Sequence, residues 1–165
     1  SRLAEIAGEL AVLQAAAGVV GGVLRFANCD GIDIAGCELY GCGTYGLGIE
    51  RTNGFSMDRC LVHDCTYGLA EISRSGDLSF TDTTFAATGE YDLVSIRDSD
   101  HVSWTNCVFS ENWGSALFTV DDDCRDIVLA GCSFVDNETE RFCDGLERVR
   151  VSGSTFEGNG FEPPW

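Results

Sequence analysis

Apolar and polar positions in this chain alternate in short runs, and the runs repeat. The pattern apolar-x-apolar-x-x-small-x-apolar occurs six times, with first positions Ile32, Phe55, Leu78, Val102, Ile127 and Val149. The steps between copies lie between 22 and 25 residues. A second apolar run precedes each of the first five copies: Phe26, Ile49, Ile72 and Ile96 stand six residues before the first position, and Val120 stands seven before Ile127. Leu47, Leu69, Leu93 and Leu117 come just ahead of these. Alternation predicts strands with one face in and one face out, joined by turns rich in Gly, Asn, Asp and Ser. A single unit of this length cannot bury its own apolar side, so the units must stack.

Stacking brings equivalent residues of successive units over one another at about 4.8 Å, and the resulting columns are chemically coherent. One reads Leu39, Val62, Phe85, Phe109, Phe134, Phe156. A second holds only small residues: Cys37, Cys60, Thr83, Cys107, Cys132, Ser154. A third reads Cys42, Cys65, Thr88, Asn112, Asn137, Asn159, where asparagines at a bend are expected to form side-chain ladders that satisfy backbone groups. A leucine-rich repeat shares the period, but 42–51 and 65–74 are glycine-rich and strand-like, without the helical segment such a repeat needs. The expected fold is all-β, a single-stranded parallel β-helix of about six coils.

The series from Cys37 to Leu69, with its echo C-x-[LV]-x-x-C followed by T-Y-G-L, resembles the right-handed parallel β-helix repeats of the pectin-lyase-like superfamily. The resemblance runs from about Val23 to Gly160. It implies the right hand of the helix, and a scaffold that hosts lyases, hydrolases, epimerases and adhesins alike, so fold alone does not give function.

The ends break the repeat. Residues 1–22 are expected to form an amphipathic capping helix, with Leu3, Ile6, Leu10 and Leu13 at helical spacing and glycines closing it. Residues 23–160 hold the repeats. Residues 161–165 form a tail whose two prolines stop strand pairing and whose Trp165 is placed to plug the last coil.

Charge narrows the partners. The 165 residues carry 27 acidic and 10 basic side chains, all the latter arginine, for a formal net charge of −17. Duplex nucleic acid and anionic membrane surfaces are therefore disfavoured. A polysaccharide or protein partner, and a monomer or weak homo-oligomer, are the expectation. The nine cysteines are odd in number and lack a C-x-x-C pair, so they read as buried free thiols in the columns. Free thiols lean toward the cytoplasm, whereas the fold family leans toward secretion.

No complete acid–base set stands out. His63 and His101 are too far apart to form a simple pair and read as surface residues. Arg97 is the first candidate for a proton-abstracting role on a uronate, should the chain be a calcium-assisted lyase or epimerase. Asp121, Asp122 and Asp123 form an acidic turn that could offer oxygen ligands for weak calcium binding. In register, Asp64, Glu111 and Asp136 follow one edge, while Glu50, Arg97 and Asp121 follow another. Tyr45, Tyr67 and Tyr91 are expected to stack at one turn, and aromatic faces beside carboxylates suit a sugar-binding groove. The expected role is a non-catalytic scaffold or binding module for carbohydrate along this Tyr and acidic edge. A uronate lyase or epimerase, and a passive repeat domain of a larger protein, are the alternatives.

Overall fold

The computed structural model describes residues 22–41 and 44–165. Each coil holds three strands. The first is β1 (Leu24–Ala27), β2 (Asp30–Ala35) and β3 (Glu38–Tyr40); the second is β4 (Tyr45–Glu50), β5 (Asn53–Asp58) and β6 (Leu61–His63). The third is β7 (Gly68–Ser73), β8 (Gly76–Thr81) and β9 (Thr84–Ala86), and the fourth is β10 (Val94–Arg97), β11 (Asp100–Thr105) and β12 (Val108–Ser110). The fifth is β13 (Trp113–Val120), β14 (Arg125–Ala130) and β15 (Ser133–Val135). The sixth is β16 (Glu138–Asp144), β17 (Val149–Ser152) and β18 (Thr155–Glu157), with a 3-10 turn over Leu146–Arg148. Each strand pairs in parallel with its equivalents, giving three six-stranded sheets: first (β1-β4-β7-β10-β13-β16), second (β2 through β17) and third (β3 through β18). The capping helix expected over 1–22 lies, except for Gly22, outside the described residues, as does Cys42.

The recurring eight-residue pattern is thus two strands with a corner between them. The corner follows from backbone conformation. Gly36, Arg59, Asp82, Asn106, Gly131 and Gly153 all have left-handed φ, as do Gly41, Asp64, Ala87, Glu111, Asp136 and Gly158 where the third sheet turns into the next coil's first. Glycine, Asn and Asp tolerate that region best, which explains their recurrence at these places.

At several of these corners the residue after the left-handed one turns inward and closes the corner with hydrogen bonds, as Ser75 does after the left-handed Arg74. Ser75 Oγ donates to the Ser73 carbonyl at 2.8 Å and accepts the Thr52 N–H at 3.1 Å. Cys60 does the same by sulfur, donating to the Asp58 carbonyl at 3.4 Å and accepting the Cys37 N–H at 3.4 Å. The Cys60 N–H in turn reaches Thr83 Oγ1 at 3.3 Å, so Cys37, Cys60 and Thr83 are stacked. All the described cysteines but Cys124 and Cys143 occupy such a position, and all eight are free thiols. Cysteine serves here as a small hydrogen-bonding residue, not only as an apolar filler.

Between the corners the core is apolar. Phe85, Phe109, Phe134 and Phe156 stack with centroids 5.0, 5.2 and 4.7 Å apart. Each such pair contributes about 0.5–1.5 kcal/mol beyond the area buried. Trp104 lies fully buried and flat on Phe80 at 5.0 Å. The four recurring leucines at the first sheet do not form one column. Leu47 pairs with Ala70, and Ala70 with Val94, because Leu69 and Ala70 both donate to the Leu93 carbonyl and are both buried. Two consecutive buried residues at one partner mark a bulge. At the far end Phe161 packs on Phe142 at 5.5 Å, and Trp165, expected to plug the last coil, meets Phe156 edge-on at 5.1 Å but stays 73% exposed.

Candidate functional site

The corner between third and first sheets gathers the aromatic and acidic residues. Asp64, Glu111 and Asp136 share the left-handed column there, which directs their side chains outward while Cys65, Asn112 and Asn137 turn in. The Tyr67 and Tyr91 rings meet at 5.2 Å and are both exposed. Tyr45 sits differently. It is the first residue of β4, pairs with Gly68, and its ring covers that glycine so closely that a Cβ would fall 2.6 Å from Cε1. The three-tyrosine stack expected from sequence is thus a Tyr67–Tyr91 pair with Tyr45 beside it on Gly68. The cause is a spacing of 22 residues between Tyr45 and Tyr67, one short of the local repeat. Burial pushes the Tyr45 hydroxyl above its ordinary pKa, and Glu71 and Asp92 add to this.

Sequence reasoning missed Trp113. It opens β13, pairs with Gly89 on one side and Glu138 on the other, and remains 47% exposed. Its indole lies across Gly89, where a Cβ would come within 2.5 Å of the ring. Glu111, Asn112, Trp113, Asp136 and Glu138 line a depression of about 300 Å³. The clue in the sequence is that Trp113 directly follows ladder residue Asn112, as Gly89 follows Thr88.

The outer face of the first sheet carries a second depression. Glu50, Ser73, Arg97 and Asp121 fall in one register column, as expected. Arg97 Nη2 is 2.8 Å from Glu71 Oε1, an ion pair the sequence did not suggest because the partners lie on different coils. Glu50 takes Arg25 and Arg51, both at 2.7 Å, with Arg74 at 3.7 Å. Glu50, Glu71, Ser73, Arg74, Arg97 and Asp98 line a cleft of about 420 Å³.

Asp121, Asp122 and Asp123 serve the fold. Asp121 Oδ1 accepts the Asp98 N–H at 3.1 Å, the Asp123 N–H at 3.2 Å and the Cys124 thiol at 3.2 Å. These bonds outweigh burial and hold the Asp121 carboxyl below its ordinary pKa. Asp122 is ion-paired with Arg148. Among the described residues, no group of three or more His, Cys, Asp or Glu is placed to hold a metal ion.

The histidines differ from each other. His101 is exposed, with Asp100 at 3.4 Å and Asp126 at 3.3 Å. His63, read as a surface residue, is instead largely covered, its side chain 20% exposed. Its ring stacks on Tyr40 at 5.1 Å, Nε2 meets Glu38 at 2.7 Å, and Nδ1 meets Asp64. Burial alone would lower its pKa, but the hydrogen bonds to Asp64 and Glu38 win and raise it.

The fold defines a class. The chain matches the family described as "Right handed beta helix region" over residues 21–162, and it belongs to that family. A comparison with curated proteins finds none that matches.

Proposed function

We propose that this β-helix repeat domain is a non-catalytic binding module that takes a glycan along the corner between third and first sheets. One observation carries the reading: Tyr67, Tyr91 and Trp113 stand exposed on successive coils of a single corner, beside Asp64, Glu111 and Asp136. Sugar rings present flat C–H faces that stack on such aromatic rings, and their hydroxyls donate to carboxylates. A parallel solenoid repeats the arrangement along its axis, which suits a polymer better than a compact ligand. A glycan array followed by isothermal titration, over neutral, amine-bearing and uronic oligosaccharides, tests the reading. Binding that disappears in Trp113→Ala and Tyr91→Ala supports it; silence across the whole set removes it.

A second reading has its own observation, the Arg97–Glu71 pair in the cleft on the first sheet. It makes the chain a uronate lyase or epimerase. Incubation with pectate and alginate, read at the unsaturated-uronate absorbance, tests it. Signal lost in Arg97→Ala would favour it over the binding module.

A further inference from the structure

His63 is held between two acceptors at the end of the third sheet's second strand. Its Nε2 meets Glu38 at 2.7 Å, its Nδ1 meets Asp64, and its ring lies flat on Tyr40. An ionised carboxylate accepts hydrogen bonds and donates none. A neutral imidazole carries one N–H and one lone pair, whereas the imidazolium carries two N–H groups. Both bonds therefore coexist only while the ring is charged. The two partners sit in different coils: Glu38 opens β3, and Asp64 takes the left-handed corner place after β6. On the other side of β6, β9 sets Ala86 beside His63 and adds no charge. The Cys65 thiol donates to the His63 carbonyl at 3.5 Å, away from the ring. Among the described residues, Glu38 and Asp64 are thus the charged groups that face the imidazole. Burial opposes charge on the ring, and the bonds to Asp64 and Glu38 outweigh it.

We propose that His63 is a proton latch on the binding corner: charged, it holds the Asp64 carboxylate, and uncharged, it yields that carboxylate to a ligand beside Tyr67. The proposal rests on the glycan reading above and names the regulation of that site. Below the His63 titration, a sugar hydroxyl reaches Asp64 only by displacing a charge-assisted bond. Above it the ring keeps one bond. With its N–H on Nε2 it retains Glu38, and Asp64 faces a lone pair and turns to the ligand. Glu111 and Asp136 hold the equivalent backbone place on later coils, but there the register mates of His63 are Ser110 and Val135. The latch is therefore confined to the Tyr67 end of the corner. Linkage makes the effect reciprocal: a ligand that takes Asp64 must lower the His63 pKa.

Two measurements on the whole chain test it. The first is nuclear magnetic resonance of the His63 ring nitrogens, the Asp64 carboxyl carbon and the Tyr67 amide across the His63 titration. Both ring nitrogens are expected to carry hydrogen below the midpoint, and the Asp64 and Tyr67 signals to move with that midpoint. His63→Gln should flatten the response, whereas His101→Gln, at an exposed histidine on the second sheet, should leave it intact. An Asp64 signal that ignores the His63 midpoint overturns the latch. The second is isothermal titration with glucose, N-acetylglucosamine and galacturonate oligomers of equal length, at about pH 5.5 and about pH 8.5, either side of the ordinary histidine range. Affinity is expected to rise on the order of tenfold with pH, the worth of one hydrogen bond to a charged group, and to lose that rise in His63→Gln. Binding that is equal at the two pH values overturns the gate and leaves the glycan reading standing. No binding by any oligomer at either pH overturns the glycan reading and the gate with it, and the Asp64 signal then decides the latch alone.

Discussion

The side-chain amide of Asn112 donates to the side-chain carbonyl of Asn137 at 2.9 Å, one coil further along. The same Asn112 amide reaches the Phe85 carbonyl at 3.1 Å, and its own carbonyl accepts the Thr88 N–H at 3.2 Å. Asn137 repeats this toward Asn159 at 2.9 Å and Phe109 at 2.9 Å. These buried residues join three coils through one column. Asn112→Ala is expected to destabilise the chain by about 1–3 kcal/mol for each buried group left without a partner. Urea denaturation measures it, and a loss under about 0.5 kcal/mol, the range of an ordinary surface substitution, would deny the ladder its role.

Thiol reactivity should follow burial. Burial pushes the Cys124 thiol up to about 11 and Cys143 to about 12. A hydrogen bond to Cys132, with burial, holds Cys107 above the ordinary range as well. The native chain is expected to leave Cys107, Cys124 and Cys143 unmodified by iodoacetamide at neutral pH, and urea to release all three. Peptide mass spectrometry reads the difference; rapid native labelling of Cys107 would contradict its placement.

His63 makes stability depend on pH in a defined direction. Its pKa is raised in the folded chain, so the folded state binds the proton more tightly than the unfolded one. The stabilisation is complete below the unfolded value of about 6.5 and is lost as pH rises through the folded value. Denaturation midpoints of the wild type should therefore fall above about pH 6.5 relative to those of His63→Gln. Parallel pH profiles for the two proteins would remove His63 as the cause.

Gly145 is fixed by its surroundings. Its φ is +89°, and a Cβ would meet the Val120 carbonyl, which also accepts from Arg148 Nη1 at 3.1 Å. Gly145→Ala should cost about 1–3 kcal/mol through backbone strain. A thermal melt shifted by no more than a surface alanine control would show that the turn can relax.

Much of the fold was legible because the repeat forces like residues into columns. The Phe85 to Phe156 column, the Asn ladder and the small-residue column stand in the structure as their spacing implies. Less legible was whatever depends on a one-residue offset. The bulge at Leu69–Ala70 shifts the leucines, and the short step from Tyr45 to Tyr67 separates Tyr45 from the tyrosine pair. Two short strands flanking a tight corner also read as one motif until the left-handed residue between them is seen. Partners drawn from different coils, such as Arg97 with Glu71 or His63 with Glu38, escaped notice because a local motif search looks along the chain and not across it. The Asp64, Glu111 and Asp136 edge was visible, but the reason for it, a shared left-handed conformation, is a property of the backbone.

The corner bonds from backbone N–H to side chain run one way. The N–H of Cys29 is capped by Thr52, that of Thr52 by Ser75, that of Ser75 by Ser99, and that of Asn137 by Asn159. Each turn of the spiral is finished only by its successor. During synthesis from the N-terminus, the newest turn would wait with open amides until the following one emerged, so maturation of the spiral would trail the ribosome by one winding.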